Sequence, residues 1–318
     1  MSSEFLNNIL TILASITMLK HARTCPLCGS TATSPTFPYS TLFNRVRFDY
    51  LKCSHCSSVF VDPVPDEQTF ALMYAKENYH DCHYADKEGG AYAESAQLLK
   101  RYLPSGAMVL DYGCGFGGFL KAVKAEGFVP FGVEFDANAA QFAAQHADCE
   151  VIAVRDFLAQ TANRRFDVIH LGDVLEHLPD PAATLKSLLV YLKPNGVLFV
   201  EGPLEINPSP VYWAAWLFGT VKHLLRPNFI GNGTPTHLFR TGARQQLAFF
   251  TRVEANLELQ YWRVYETGWP YAEGGLVKRA ITGLACGLGG KRLFGMTFGN
   301  RFGGIYTLVS QVDIKKVK

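Results

Sequence analysis

Net charge is almost absent from this chain. Thirty basic side chains face 28 acidic ones, a formal balance of +2 over 318 residues, which removes the broad positive field that wholesale nucleic-acid binding relies on. Charged residues make up only 18% against 48% hydrophobic. That composition suits a large buried core and not a disordered chain. Long apolar runs are missing too. The nearest approach, residues 5–19, is too short to cross a bilayer comfortably. It is preceded by Glu4 where a secretory leader would carry basic residues, and no small-residue cleavage site follows. Residues 1–21 read as an N-terminal tail, a frayed helix or chain upstream of a start at Met18, in preference to a membrane anchor. There is no internal repeat and no low-complexity segment.

A disulfide framework is also missing, although eight cysteines would allow one. Four are grouped as Cys25-x-x-Cys28 and Cys53-x-x-Cys56, while Cys82, Cys114, Cys149 and Cys286 stand alone. A chain of this size does not need disulfide staples, and paired C-x-x-C turns point to a reducing, cytoplasmic setting. Each turn presents two thiolates on one side, so two turns complete a tetrahedral four-sulfur zinc site. With Cys25, Cys28, Cys53 and Cys56 as ligands no position stays open, and the zinc is expected to be structural. A pair of redox motifs or unmetallated core cysteines is the alternative. His55 lies between ligands and reads as an exposed loop residue.

What is present divides the chain. Residues 22–64 are rich in Cys, Pro and aromatics with short alternating runs, the pattern of small hairpins around the four cysteines. Residues 65–106 read as a helical linker with apolar residues at helical spacing. From 107 a βα rhythm begins: strands at 108–111, 129–134, 150–154, 166–171 and 196–201, with helices at 119–126, 138–146 and 182–192. Such alternation implies a parallel sheet covered on both faces. An insertion at 203–239 breaks the rhythm. A helix (241–252), a strand (256–264), a Gly-rich stretch and a last strand (304–312) follow, so residues 107–318 form one α/β domain.

The first strand runs into Asp111-Tyr112-Gly113-Cys114-Gly115-Phe116-Gly117-Gly118. Glycines here let backbone approach a ligand at a helix N-terminus, outside the carboxyl ends of the strands. Gly113, Gly115 and Gly118 fit a dinucleotide loop, whereas Gly113, Gly115 and Gly117 fit D-x-G-x-G-x-G. Three companions break the tie. Asp111 can reach the methionine end of a cofactor, and Glu134 closes the second strand where a carboxylate accepts both ribose hydroxyls, as is equally expected for NAD. Asp156 and Phe157 follow the third strand, as an acid for an adenine amino group and an apolar wall for its ring. After the fourth strand comes Asp173-Val174-Leu175-Glu176-His177, which a nicotinamide enzyme has no reason to carry.

Over about residues 107–202 the chain resembles the class I S-adenosylmethionine (SAM)-dependent methyltransferases. The resemblance implies a seven-stranded, doubly wound Rossmann-like sheet in the order 3-2-1-4-5-7-6, beside a small N-terminal zinc-binding subdomain. It puts the cofactor motif on Asp111, Gly113, Gly115 and Gly117, the ribose acid on Glu134, the adenine acid on Asp156 and the post-strand segment on residues 173–177. The four-cysteine head, the run through Val61-Asp62-Pro63 and the tyrosines Tyr74, Tyr79 and Tyr84 resemble zinc-headed methyltransferases of natural-product and cell-surface sugar biosynthesis. The large additional C-terminal domain of the deoxysugar C-methyltransferases is not seen here, which leaves C-methylation of a sugar open.

Methyl transfer from a sulfonium is an in-line displacement, so the protein must align, exclude water and take a proton from an oxygen or carbon nucleophile. His177 is the first candidate base by position, with ordering of its loop as the alternative. His237, in Thr236-His237-Leu238-Phe239-Arg240 before a helix, is the second, where the family also carries a histidine. Glu201 ends the fifth strand and is placed to orient a substrate hydroxyl. The aromatic run 211–218, followed by Lys222, His223 and Arg226, reads as a buried lid over the acceptor; a helix lying on a membrane surface is the other reading. Residues 274–312 carry no acid, which suits either an ordinary solvated face or an anionic partner, including a membrane surface. The expected activity is methylation of a small-molecule or glycan-precursor acceptor at O, C or N. An RNA methyltransferase gripping its substrate with the zinc head, and a non-catalytic SAM- and zinc-binding protein, are the rivals.

Overall fold

The computed structural model describes residues 23–73, 90–161 and 163–309. The tail at 1–21, Tyr74, Tyr79, Tyr84 and Cys82 of the linker, and the last residues of the chain lie outside the described residues.

Three antiparallel strands form the head: β1 (Thr33–Phe43), β2 (Val46–Cys53) and β3 (Val59–Asp62). Asn44 and Arg45 join the first two with φ of 49° and 61°, the doubly left-handed turn whose twist matches that of a hairpin. Helices α1 (Glu67–Met73) and α2 (Gly90–Leu99) lead to the βα repeat. It runs β4 (Met108–Tyr112), α3 (Gly118–Ala125), β5 (Val129–Glu134), α4 (Ala137–Ala147), β6 (Glu150–Ala153), α5 (Phe157–Thr161), β7 (Phe166–Gly172), α6 (Pro181–Leu189) and β8 (Leu192–Pro203). Local chemistry sets several of these bounds. Asp136 caps α4 by accepting from the amides of Asn138 and Ala139. Asp180 caps α6, with Pro181 supplying the fixed φ of a first helical residue.

The remaining elements are α7 (Pro210–Leu225), β9 (Gly231–Asn232), β10 (Phe239–Arg240), α8 (Ala243–Val253), β11 (Leu257–Tyr265), α9 (Leu276–Leu288), β12 (Arg292–Leu293), β13 (Met296–Thr297) and β14 (Arg301–Leu308). The main sheet has seven strands in the order β11-β14-β8-β7-β4-β5-β6. Strands β4 to β8 are parallel, and β14 runs antiparallel between β8 and β11. Read from the β6 edge, this is the order expected for the Rossmann-like methyltransferase fold. Both faces are covered, so central strands are buried on both sides: Val168, Ile169, His170 and Leu171 in β7 are all below one-tenth exposed. One face packs Val109, Val168 and Phe199 on α2 and α3 through Leu99 and Phe119. The other packs Ile169, Leu198 and Val200 with α6 and α8, and its core runs on into the head through Cys25, Leu51 and Phe60.

Three features differ from the sequence expectation. The head does not end at 64: its sheet order is β10-β3-β2-β1-β9, so two short strands of the 203–239 region and its border cover edges that would otherwise stand unpaired. The aromatic run is not a buried lid. Within α7 only Val211 is buried, while Phe218, Leu224 and Leu225 stand out in solvent. Helix α7 packs instead with one side on β1, where His223 stacks on Tyr39 at 3.7 Å. The Gly-rich stretch contains the 13-residue helix α9 and the β12–β13 hairpin. No helix among the described residues is long and apolar enough to cross a membrane.

Candidate active site

The glycine loop leaves β4 and curls over the end of β5, with Gly113 and Cys114 donating to the Val133 carbonyl. Gly113, Gly115 and Gly117 have φ of 82°, 53° and 82°, values that side chains with a Cβ avoid. At Gly113 a Cβ would also lie 2.5 Å from Val174 Cγ2, so the loop packs directly against the segment after β7. Across the loop the Glu134 carboxylate accepts from the Gly115 amide at 2.7 Å and from the Phe135 amide at 2.8 Å. Burial pushes its pKa up, and these two amides pull against that shift. The cradle therefore has a carboxylate on one wall and backbone amides on the other. Asp156 follows β6, partly exposed, beside Arg155. Phe157 is turned into the core against Tyr112 and Tyr191. Phe135, an exposed aromatic beside Glu134, was not anticipated.

Asp111 faces the α2/α3 side of the sheet. Its register partner on β7 is His170, whose Nδ1 lies 2.7 Å from Asp111 Oδ1. His170 Nε2 is 3.6 Å from Glu201 Oε2, and its ring stacks on Phe119. Burial alone would lower the His170 pKa, but the two carboxylates overcome it and raise it to about 9. Ser95 of α2 donates to Glu201, and Arg263 of β11 approaches the other Glu201 oxygen at 3.7 Å. Glu201 is thus held in a buried network beneath the loop. The signal for His170 was a lone polar residue inside the apolar strand Phe-Asp-Val-Ile-His-Leu-Gly.

On the far side of β7 the structure brings Asp173, Glu176, His177 and His237 together. Asp173, at φ 55°, accepts from Arg301 at 2.7 Å. Burial works against its ionisation and Arg301 overcomes it, holding the carboxyl below the usual range. Glu176 is buried, its Oε1 has no hydrogen-bond partner, and burial together with repulsion from Asp173 pushes it up to about 7. His177 Nδ1 is 2.8 Å from the Thr236 carbonyl. A carbonyl only accepts, so the proton sits on Nδ1 and the basic lone pair on Nε2, 3.9 Å from Glu176 Oε1. His237 stands edge-on to His177 with ring centroids 4.8 Å apart, and its Nδ1 is 2.9 Å from Glu205. Glu205 is drawn down to about 2, against its burial, by Arg240 and His237. One ligand atom from each of Glu176, His177 and His237 lies within 4.8 Å of the others, a candidate ligand set for a divalent cation. Sequence reasoning gave no role to Glu205, Arg240 or Arg301, which reach the site through the insertion, its border and the antiparallel strand.

The second cluster is the head. Cys25, Cys28, Cys53 and Cys56 place their sulfurs within 4.8 Å of one another. The Cys25–Cys56 and Cys28–Cys53 pairs are each 3.6 Å apart, beyond bonding distance. A tetrahedral zinc with arms of about 2.3 Å has edges of about 3.8 Å, so the spacing fits that ion. The two turns share one geometry: the amide four residues past Cys25 and Cys53 donates back to the cysteine carbonyl, at Gly29 and Ser57, both with positive φ. The contact with Cys25 and the Ser58 hydroxyl draw the Cys56 thiol down, favouring one thiolate within the Cys25–Cys56 pair.

Residues 84–238 match the family described as a methyltransferase domain. A ubiquinone biosynthesis O-methyltransferase of Histophilus somni is 37% identical over 121 residues, covering 35% of this chain and 50% of the relative. One from Idiomarina loihiensis is 33% identical over 141 residues, covering 42% and 54%. The chain spans about half the length of the curated relatives it matches. Among solved structures, a SAM-dependent methyltransferase from Methanosarcina mazei aligns at 16% identity with a TM-score of 0.45, over 67% of this chain and 98% of that one. Another from Archaeoglobus fulgidus aligns at 19% and 0.45, over 71% and 100%. The family match spans the glycine loop and strands β4 to β8, so over residues 84–238 the chain is similar to a methyltransferase domain.

Proposed function

We propose that the protein transfers a methyl group from SAM to an oxygen of a small-molecule acceptor. The carrying observation is the meeting, at the carboxyl ends of β4, β5, β7 and β8, of the Gly113–Glu134 cradle with the buried carboxylate–imidazole group Glu176, His177 and His237. The cradle suits the donor: a backbone of glycines that admits close approach, with a carboxylate facing it across the loop. Bound there, SAM supplies an electrophilic methyl group. Glu134 would hold the ribose hydroxyls, Asp156 the adenine amino group and the glycine loop the methionine end. Asp111 and Glu201 act through His170, setting the loop and the end of β8 relative to each other.

His177 takes the acceptor proton at Nε2. Its tautomer is fixed by the Thr236 carbonyl, and Glu176 stands ready to stabilise the imidazolium. His237 and Glu205 bound the same space and orient the hydroxyl. The O-methyltransferase name shared by the relatives favours oxygen over carbon or nitrogen. The cysteine head binds structural zinc and keeps sugar-type acceptors among those to screen. The test is transfer of labelled methyl from SAM to pools of hydroxylated metabolites and sugar nucleotides. His177→Ala should retain SAM affinity and lose about 10²- to 10⁴-fold in kcat; an unchanged rate removes His177 from the chemistry.

A second reading of the acceptor side is favoured by the orphaned Glu176 oxygen. A divalent cation on Glu176, His177 and His237 would bind the acceptor oxygen and lower its pKa. Chelation followed by Mg²⁺, Mn²⁺ or Zn²⁺ distinguishes the two readings. Activity restored by one ion in wild type but not in Glu176→Gln, with the head still metallated, supports the cation; activity that survives chelation supports the base.

A further inference from the structure

We propose that the face built from α7, α9 and the β12–β13 turn docks on an anionic phospholipid surface. Along α7, Trp213, Leu217, Val221 and Leu224 form one exposed stripe, the spacing that places side chains on a single helix face. Helix α9 packs beside α7 and buries only Ala285 of its 13 residues, with Leu276 85% exposed. The hairpin base rests on α7, where Phe298 meets Trp213 edge-on at 5.6 Å. At the hairpin tip stand Phe294 and Gly295, with φ of 52° and 75°. Such a tip ordinarily carries Asn, Asp or Gly; here it holds a phenylalanine 94% exposed. A soluble surface gains nothing from that choice, whereas an acyl boundary takes up the ring.

The charge pattern selects the occupant. No Asp or Glu occurs in residues 206–253 or 274–312, while Lys222, Arg226, Lys278, Arg279, Lys291 and Arg292 border the apolar stripe. Two acids flank these runs: Glu266, engaged by the Ser209 hydroxyl and the Gly268 amide, and Glu273, exposed ahead of α9. A second copy of this chain would set cation against cation. A bilayer offers acyl chains to the stripe and anionic headgroups to its rim. At 16 residues, α7 is shorter than the roughly 20 needed to span a bilayer and suits an orientation in the interface plane.

The test is co-sedimentation of the full chain with phosphatidylglycerol–phosphatidylcholine vesicles and with phosphatidylcholine alone. Binding should favour the anionic vesicles and weaken with salt. Neutralising Lys278 and Arg279 to Gln should lower partitioning by about fivefold per cation. Leu217→Ser with Phe294→Ser should lower it on the order of tenfold. SAM affinity and circular dichroism serve as fold controls, since none of these residues touches the cradle. Equal binding to both vesicle types, or none, overturns the proposal. So does a wild-type dimer in sedimentation velocity that Phe294→Ser dissociates, which would make the face a contact between copies.

Discussion

Replacing His170 with Gln tests the buried network most directly. In the native state the imidazole lies between Asp111 and Glu201, 3% exposed, and its pKa is raised to about 9. The other groups facing it are Ser95 and Tyr92 of α2, Phe119 of α3 and, through Glu201, Arg263 of β11. A pKa raised from about 6.5 unfolded to about 9 folded means that the native state holds the proton more tightly. The resulting stabilisation is fully present below about pH 6.5, falls through the interval and is lost above about pH 9. The shift corresponds to about 3 kcal/mol. Leaving two buried carboxylates without their cation gives a similar cost, about 3–5 kcal/mol. Urea unfolding of wild type and His170→Gln at several pH values isolates the contribution of the His170–Asp111–Glu201 group, because the titrations of residues away from it cancel in the difference. The gap should be about 3 kcal/mol near pH 6 and shrink towards zero by about pH 9.5. A gap that is constant with pH, or grows, would mean that native His170 is neutral and the ion-pair account is wrong.

Glu134→Ala removes the carboxylate facing Gly115 and should weaken SAM binding about 10- to 100-fold by calorimetry. Asp111→Ala should weaken it too, with a lower melting temperature because His170 loses its closest partner; unchanged affinity in both variants sinks the cofactor assignment. Gly113→Ala combines a left-handed φ with a Cβ 2.5 Å from Val174 and should cost about 1–3 kcal/mol in stability. Val174→Ala in the same chain should recover part of that, and failure to do so would show the packing contact to be irrelevant. Elemental analysis should find one zinc per wild-type chain and less in Cys53→Ser, with a lower melting temperature. A metal-free wild type, freshly purified, ends the four-sulfur assignment.

The sheet was legible because its signals are local. Val109 and Leu110 ahead of the glycines, and Val129 to Glu134 before a capped helix, each announce a strand without help from distant residues. The glycine loop and Glu134 stood out for the same reason, since each closes a strand that the local sequence marks. What escaped depends on distant pairing. His170 acquires its charge from Asp111 and Glu201, on two other strands. Glu205, Arg240 and Arg301 converge only after the insertion and β14 are in place. Helix α9 was hidden by its own glycines at 283 and 287, which lower helix propensity although Ala285 and its neighbours pack on α7. The α7 aromatics were expected inside because such residues are usually buried, and a helix serving an interface breaks that rule.

The two strands that the insertion lends to the head have a consequence for how the chain is made. Leu238 receives the Val61 amide on its carbonyl and gives its own amide to the Glu176 carbonyl, so one residue ties the cysteine head to the acceptor side. The head leaves the ribosome first, yet the edges of β1 and β3 stay open until residues 231–240 emerge. At about 5–20 residues per second that is a wait of roughly 10–40 s. Metal bound by the four cysteines during that interval would hold the first two knuckles together while the rest of their sheet is still being synthesised. A bound ion would then serve the order of assembly as well as clamp the finished head.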